Sequence, residues 1–591
     1  MMLAKEWSEK LTSVAKQQYM RSPFWLEAAS RKLTWEEAVM DKPSIQEAVN
    51  RLDEASAGVL RAFYICFGAG PVSEERLFSS GVQRAGLSGA EFRYGLIQLQ
   101  NAGIVFALRK GWGERLYALP SDGYMLWHAA LFPIPQLSAA DTGYGQWEQR
   151  QEDTPHKSLG RQLLSVWAEL ARSGLGLTAK GTLPKKTATK LMQAVTITEE
   201  EMMSAGWKTE PEASYNIVLT FILKLSMHLG VVTTQENRMG WNEQILTKWL
   251  SEPDYRQEFL LLQWCQKERF EGKPGMWHAM AVLARLEPGI WYAERDLTEQ
   301  IKRHGLDAID WDRHLHSCLD FLRLFGWMEL GRTEQGTMMR FTMMPLLLQE
   351  PFVNLKAVHE PIFIEPNGDL FVTPGCSPLI RWELELIADK KSDDLLSIWQ
   401  INRQSAMRAL AHGRTTDQIL AFLHAAAGGV PISPLLESSL LDWGKQEDGL
   451  KAAAEPYPLL PFDPPADCQF LLRSSAGALA SCELMNHEDF TVERFLPELD
   501  RVPLSWLQQL RSYHHSTRLE ILEQALSWQA PVQLSMDEAV VAFVPARVDK
   551  SDNGWRVTGL LREAATIREV CLTPEMWQGM KLVAPGVSGF V

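Results

Sequence analysis

The stretch from Ala55 to Pro120 constrains the fold of this chain most. The segment ASAGVLRAFYICFGAG carries apolar residues at helical spacing and stops at the Gly68–Pro71 breaker. Ser73 followed by two glutamates is a good N-cap with an acidic first turn for a short second helix that ends at Gly81. Ser88-Gly-Ala-Glu91 is a capping box opening a third helix, FRYGLIQLQNAG, which closes at Gly103. IVFALRKGWGERLYALP then predicts two strands around Lys110-Gly-Trp-Gly113, with glycine where a tight turn needs positive φ.

The same order returns twice. LLSVWAELARSG, LPKKTATKLMQAV and SYNIVLTFILKLSMHLG predict three helices, and VVTTQENRMGW an edge hairpin. WHAMAVLARLEPG, ERDLTEQIKRHG and DWDRHLHSCLDFLRLFG predict three more, and WMELGRTEQGTMMRFTM a turn-centred hairpin. Three helices and a hairpin make the winged-helix arrangement. Uneven spacing argues for tandem domains rather than a solenoid.

At 591 residues the chain exceeds what one core supports, so several domains are expected. The texture changes after the third copy. Glu360-PIFIEPNGDLFVTPG predicts a hairpin around Pro366-Asn-Gly, CSPLIRWELELIADK a helix, LLSIWQIN a strand, and RQSAMRALAHG and TTDQILAFLHAAAGG two helices, a ββαβαα order. A Pro-rich segment, AAAEPYPLLPFDPPAD, follows. LEILEQALSWQ is then helical, and VQLSM, AVVAFVPARVD, WRVTGLLRE and TIREVCL are short strands of a small bent β-domain.

Several chemistries find no support in the sequence. No G-x-x-x-x-G-K-[ST] loop is present; Gly176–Thr182 comes nearest and has threonine where the phosphate-binding lysine belongs. LDEAS and MDEAV lack the preceding apolar strand of a helicase acidic box. His304, His314, His316 and Cys318 lie close in sequence, but only His314 and Cys318 share a helix face and no second ligand pair is visible. His514-His515-Ser516 places a base beside a hydroxyl by adjacency alone. Neither a catalytic site, a metal nor a cofactor is therefore expected. Seven dispersed cysteines without a C-x-x-C pair suit reduced thiols and a cytoplasmic location. The charged first twenty residues argue against a secretory signal, and Lys224 and His228 interrupt the most apolar stretch, so no membrane association is expected.

The remaining chemistry is contact with DNA. In a winged helix the third helix enters the major groove and the wing meets the phosphate backbone. The candidates in the first copy are Arg93 and Tyr94 on the helix and Arg109, Lys110, Trp112 and Arg115 on the wing. In the second copy Lys180 precedes Lys185, Lys186 and Lys190, of which the last two are one turn apart. In the third they are Arg313, Arg332 and Arg340. A net charge of −14 confines such contact to local basic faces, whose field is screened beyond about 10 Å.

The segment from Glu360 to Leu450 resembles the N-terminal domain of XPB-type helicases, carried by IFIEPNGDLFVTPGCSP, ELELIADKKS and IWQINRQSAMRALAHGRTTDQILAFLHAAAGGVPIS. Ser405, Ala409, Gly413, Ile419, Leu423, Val430 and Pro431 fill the pattern's places. Thr517 to Leu582 resembles a WYL domain through RLEILEQALSWQAPVQLSM, FVPARV and GWRVTGLLREAATIREVCL, with the Trp-Tyr-Leu run reduced to Trp555-Arg-Val. This resemblance implies that Arg562 and Arg568 could hold an anion. The whole order is similar to bacterial helicase-associated proteins.

The expected fold class is multidomain, mainly α with α+β. An N-terminal helical extension (1–50) is followed by tandem winged helices at 51–130, 156–252 and 253–350, with a linker at 131–155. An α/β XPB N-terminal-like domain (355–450), a Pro-rich connecting segment (451–515) and a small C-terminal β-rich, WYL-like domain (516–591) complete it. The expected function is non-catalytic: a DNA-binding, helicase-associated accessory protein in repair, recombination or transcription, meeting duplex or junction DNA and a separately encoded helicase or nuclease. The alternatives are a protein-interaction scaffold for such an enzyme and a ligand-responsive transcriptional regulator.

Overall fold

The computed structural model describes residues 2–135, 137–139, 157–209, 213–235, 238–303, 310–333, 336–342, 360–393, 396–445, 456–461, 470, 479, 481–485, 496–536, 539–551, 554–563 and 566–587. The chain is a multidomain assembly of helices with several small antiparallel sheets. One continuous apolar core runs from Met2 to Cys482, and a second is built almost wholly from residues after Leu496. We call these parts the body and the C-terminal domain.

Within the body one connectivity occurs three times. In the first unit a helix (Glu54–Cys66) leads through a two-residue strand (Val72–Ser73) and a short helical stretch to a third helix (Gly89–Asn101). A hairpin, Phe106–Arg109 and Arg115–Ala118, closes it, and the two-residue strand pairs with the second hairpin strand, Val72 opposite Tyr117. The third unit repeats this with helices Pro274–Leu283, Glu294–Arg303 and Trp311–Leu324 and hairpin strands Met328–Thr333 and Gly336–Phe341. There Tyr292 pairs with Met339. The second unit has helices Leu159–Ser173, Lys185–Gln193, Glu199–Ser204 and Ile217–His228, and its hairpin joins Val232–Gln235 to Arg238–Trp241. Its equivalent of the extra strand is a single bridge, Gly176 to Arg238. These strands are too short to show an alternating pattern, so sequence periodicity misses them.

The N-terminal helices complete the first unit's core. Trp7 stacks on Phe106 at 4.2 Å, Trp35 meets the same ring edge-on, and the Trp25 indole donates to the Ala102 carbonyl at 2.7 Å. At the other edge Glu483–Leu484, from the segment expected to be a connector, adds a strand to the hairpin, with Glu483 opposite Arg109.

The α/β part has strands Phe363–Ile364, Asp369–Val372, Asp389–Asp393 and Ser397–Gln400. They lie antiparallel, in spatial order third, fourth, second, first. Helices Pro378–Ile387, Arg403–Ala411, Thr416–Ala426 and Pro434–Lys445 accompany it, so the order is ββαββααα rather than ββαβαα. The added helix is Pro434–Lys445, and the added strand is DKKSD, an all-polar edge strand that reads from sequence as the tail of the preceding helix. Gly368 turns the first hairpin at φ +85°, and a Cβ there would lie 2.4 Å from the Ile401 carbonyl oxygen, so only glycine fits. Arg414 is buried against Glu383 (2.7 and 2.9 Å) and donates to the Tyr457 and Pro458 carbonyls, which docks the start of the Pro-rich segment. His412 stacks on Tyr457 at 4.1 Å.

The C-terminal domain is a helix, His515–Trp528, against a five-stranded antiparallel sheet. Strands Val532–Met536, Ala539–Ser551, Gly554–Glu563 and Thr566–Leu572 follow one another, and Gly579–Leu582 returns to pair with the first. The long second strand bends at a bulge between Pro545 and Arg547, where a proline without an N–H is tolerated. Arg518 fastens the helix, donating to the carbonyls of Tyr513, Pro574, Trp577 and Gln578. Among the described residues no helix is long and apolar enough to cross a membrane.

Candidate nucleic-acid interface

The first unit separates the candidate residues that the sequence groups together. Its third helix begins with the expected capping box: Ser88 accepts from the Glu91 amide at 3.2 Å and the Glu91 carboxylate accepts from the Ser88 amide at 2.7 Å. That end of the helix is covered by the C-terminal domain. The Ala90 amide donates to the Gln529 carbonyl at 3.0 Å, and Arg93 donates to the Gln529 side chain at 2.7 Å. The Glu91 carboxylate also binds Arg562 at 2.9 Å. Gly586 lies on the Tyr94 ring so closely that a Cβ would approach it to 2.6 Å. Ala90 is fully buried and packs into the C-terminal domain's core, the one described residue of the body in that core. Arg93 and Tyr94 therefore face protein, not an open groove. Gln529 makes this contact from a left-handed C-cap, φ 54°, at the end of the His515–Trp528 helix.

The tip of the same unit's hairpin stays in solvent, while its strands are buried as far as Leu108 and Leu116. Lys110 accepts from the Gly113 amide (2.8 Å) and donates its own amide to Glu114 (2.9 Å), closing the turn. Trp112 at the tip is 77 % exposed, the largest exposure of any large apolar side chain described. Arg109 and Arg115 are exposed and directly opposite across the strands. Lys110 lies 5.0 Å over the Trp112 ring and binds Glu114 at 2.9 Å, and Arg115 binds Glu74 at 3.3 Å. Lys110 and Arg115 thus pair with carboxylates and Arg109 stands opposite Glu483 on the adjoining strand, so the wing is less positive than its sequence suggests.

In the second unit the helix before the hairpin, Ile217–His228, is buried on nearly all sides from Ile217 to Ser226, with Lys224 and Met227 exposed. It cannot enter a groove. The second helix instead exposes Lys185, Lys186 and Lys190, with Lys180 exposed in the preceding turn. Lys190 binds Glu169 at 3.3 Å. Among the described residues Lys185 and Lys186 form no ion pair. In the third unit the helix presents Asp312, Arg313 and His316, with His316 3.2 Å from Glu294. Arg332 is exposed on its hairpin, and Arg340 is held by Glu329 and stacks 4.6 Å from the Trp291 ring.

The two arginines of the C-terminal domain already hold carboxylates, Arg562 that of Glu91 and Arg568 that of Glu563, each at 2.9 Å. The remaining sequence candidates have local structural roles. Thr178 and Thr182 close a turn on each other at Gly176–Thr182, and Asp53 of LDEAS caps the first unit's first helix. Asp537 and Glu538 of MDEAV and His304 lie outside the described residues. His314 lies against Gly275 and Cys318 is buried beside the Met276 carbonyl, and no metal-ligating group of three is found among the described residues. His514 accepts from the Ser516 amide as a helix cap.

Two strongly perturbed ionisable groups, Glu258 and His128, sit buried between units. Burial pushes the Glu258 carboxyl up to about 7. It accepts from the Gly160 amide and the Trp327 indole, both at 2.8 Å, so it ties the second unit to the third. Burial holds His128 well below the usual histidine range. Its imidazole meets His278 at 2.8 Å and Arg285 at 3.0 Å where the first unit meets the third. A cavity lined by Glu200, Glu201, Ser204, Asp320, Arg323 and Leu324 encloses about 180 Å³, below the roughly 300–1,000 Å³ of small-molecule sites. The chain matches no protein-family model and no curated protein sequence.

Proposed function

We propose that the protein is a non-catalytic DNA-binding accessory factor of the helicase-associated kind, acting in repair, recombination or transcription beside a separately encoded helicase or nuclease. The observation that carries this reading is the recurrence of helices closed by a hairpin: the first and third units share three helices with a short strand between the first two, and the second has four helices and a single bridge, which is in keeping with a winged-helix order. The β-sheet and helix order of residues 360–445 is in keeping with an XPB N-terminal-like domain. The five-stranded sheet behind the His515–Trp528 helix is in keeping with a WYL-like one. DNA would be met by exposed cations outside the two covered third helices: Lys185 and Lys186, the first hairpin, and Arg313 with Arg332. A mobility-shift series with duplex, forked and single-stranded DNA at two salt concentrations tests this. Binding that weakens steeply with salt is expected, and salt-independent binding or none at low salt contradicts it.

A scaffold role is the second reading, favoured by the burial of the third helices in the first two units. A stable co-purifying helicase or nuclease, with no retention of DNA, would support it instead.

A further inference from the structure

The first unit's third helix is covered at its N-terminal end, while the tip of its hairpin is exposed. Groove reading needs a helix with free base-contacting side chains, and Arg93 and Tyr94 are occupied by Gln529 and Gly586. What this unit offers to solvent is an indole between cations. Trp112 stands on a turn with glycine on either side, and added Cβ atoms at Gly111 and Gly113 would meet nothing within 4 Å. The tip is therefore sterically open. Arg109 and Arg115 lie opposite each other across the strands at its base, and the Lys110 ammonium lies over the indole. Aromatic faces stack on any base once it is unpaired, and cations at the base of the stack hold the phosphates. Glu114 accepts from the Trp112 indole at 3.2 Å and orients the ring.

We infer that the first hairpin is a reader of DNA structure, in which Trp112 stacks on the first unpaired base at a fork or frayed end while Arg109 and Arg115 hold the adjoining phosphates. This rests on the proposed DNA-binding function and names the feature recognised: a duplex-to-single-strand boundary, independent of sequence. The test uses the full chain and three DNAs of shared sequence, namely a blunt duplex, a single strand and a fork with 2-aminopurine at the first unpaired position. Wild type is expected to prefer the fork and to quench 2-aminopurine. Trp112→Ala should lose about tenfold in fork affinity, the size of one base–aromatic stack, with blunt-duplex affinity and melting temperature unchanged. Trp112→Phe should restore most of it. Equal fork affinity and equal quenching by Trp112→Ala overturn this inference and leave DNA binding standing, whereas no binding of any DNA by wild type overturns both.

Discussion

The body and the C-terminal domain bury their apolar residues separately, and they differ in what they leave for contact. The body threads three helical units, an N-terminal extension and an α/β part around one core, at the cost of sealing polar groups such as Glu258 and His128 between units. The C-terminal domain is a five-stranded sheet and a helix with their own core, joined to the body through a small patch around Ala90, Gln529, Arg562 and Gly586. That patch sits on the helix a winged-helix unit would put into DNA.

This contrast can be broken at four places. The largest effect is expected from Arg518→Ala, which removes the donors to four carbonyls inside the C-terminal domain. A loss of about 4 kcal/mol should appear in that domain's melting transition and leave the body's unchanged, since hydrogen bonds from charged groups are worth about 1.5–3 kcal/mol each. A calorimetric scan showing both transitions shifted equally would mean the two parts unfold as one.

The body has its own handle in Glu258. Its folded pKa, about 7, lies above the ordinary 4.5, so the folded state holds the proton more tightly. The stabilisation is fully present below about pH 4.5 and is lost as pH rises through about 7, on the order of 3 kcal/mol at 1.36 kcal/mol per pKa unit. Glu258→Gln should flatten this dependence in the body's transition only. A Glu258→Gln protein with an undiminished pH slope would place the titration elsewhere.

Gly89→Leu attacks the junction itself. A Cβ at Gly89 would lie 2.2 Å from the Gln529 Oε1 and 2.8 Å from its Cβ, so rotating the glutamine side chain alone does not make room. Undocking by about 2 kcal/mol is expected, typical of overpacking. Hydrogen exchange should quicken at the Ala90 amide and stay unchanged along the hairpin. Smallest is Arg562→Ala, which deletes a partly buried ion pair with Glu91 and should cost the docking about 1 kcal/mol or less. A double-mutant cycle with Glu91→Gln measures the coupling.

Local signals made much of this legible. The Ser88–Glu91 capping box, the Gly103 stop, the Lys110–Gly113 turn and the largely apolar Ile217–Leu225 run each appear where the sequence places them. The short strands at Val72, Tyr292 and Gly176 were not legible, because two residues or one carry no period. Nor was the DKKSD strand, whose polar composition follows from its edge position. For the candidate interface the sequence identifies cations but not their partners. Glu91 and Arg562, or Arg93 and Gln529, are more than 400 residues apart along the chain, beyond the reach of any helix or hairpin rule. The extreme apolarity of the second unit's third helix was the one available sign that it does not face DNA.

Hydrogen exchange of the full chain with and without forked DNA tests the account most directly. The account predicts slowed exchange along the first hairpin, residues 109–115, and the lysine-bearing helix, residues 185–193, with the Gly89–Asn101 helix unchanged. New protection on that helix together with faster exchange at Gln529 would contradict it, because the helix would then have left the C-terminal domain to enter the groove.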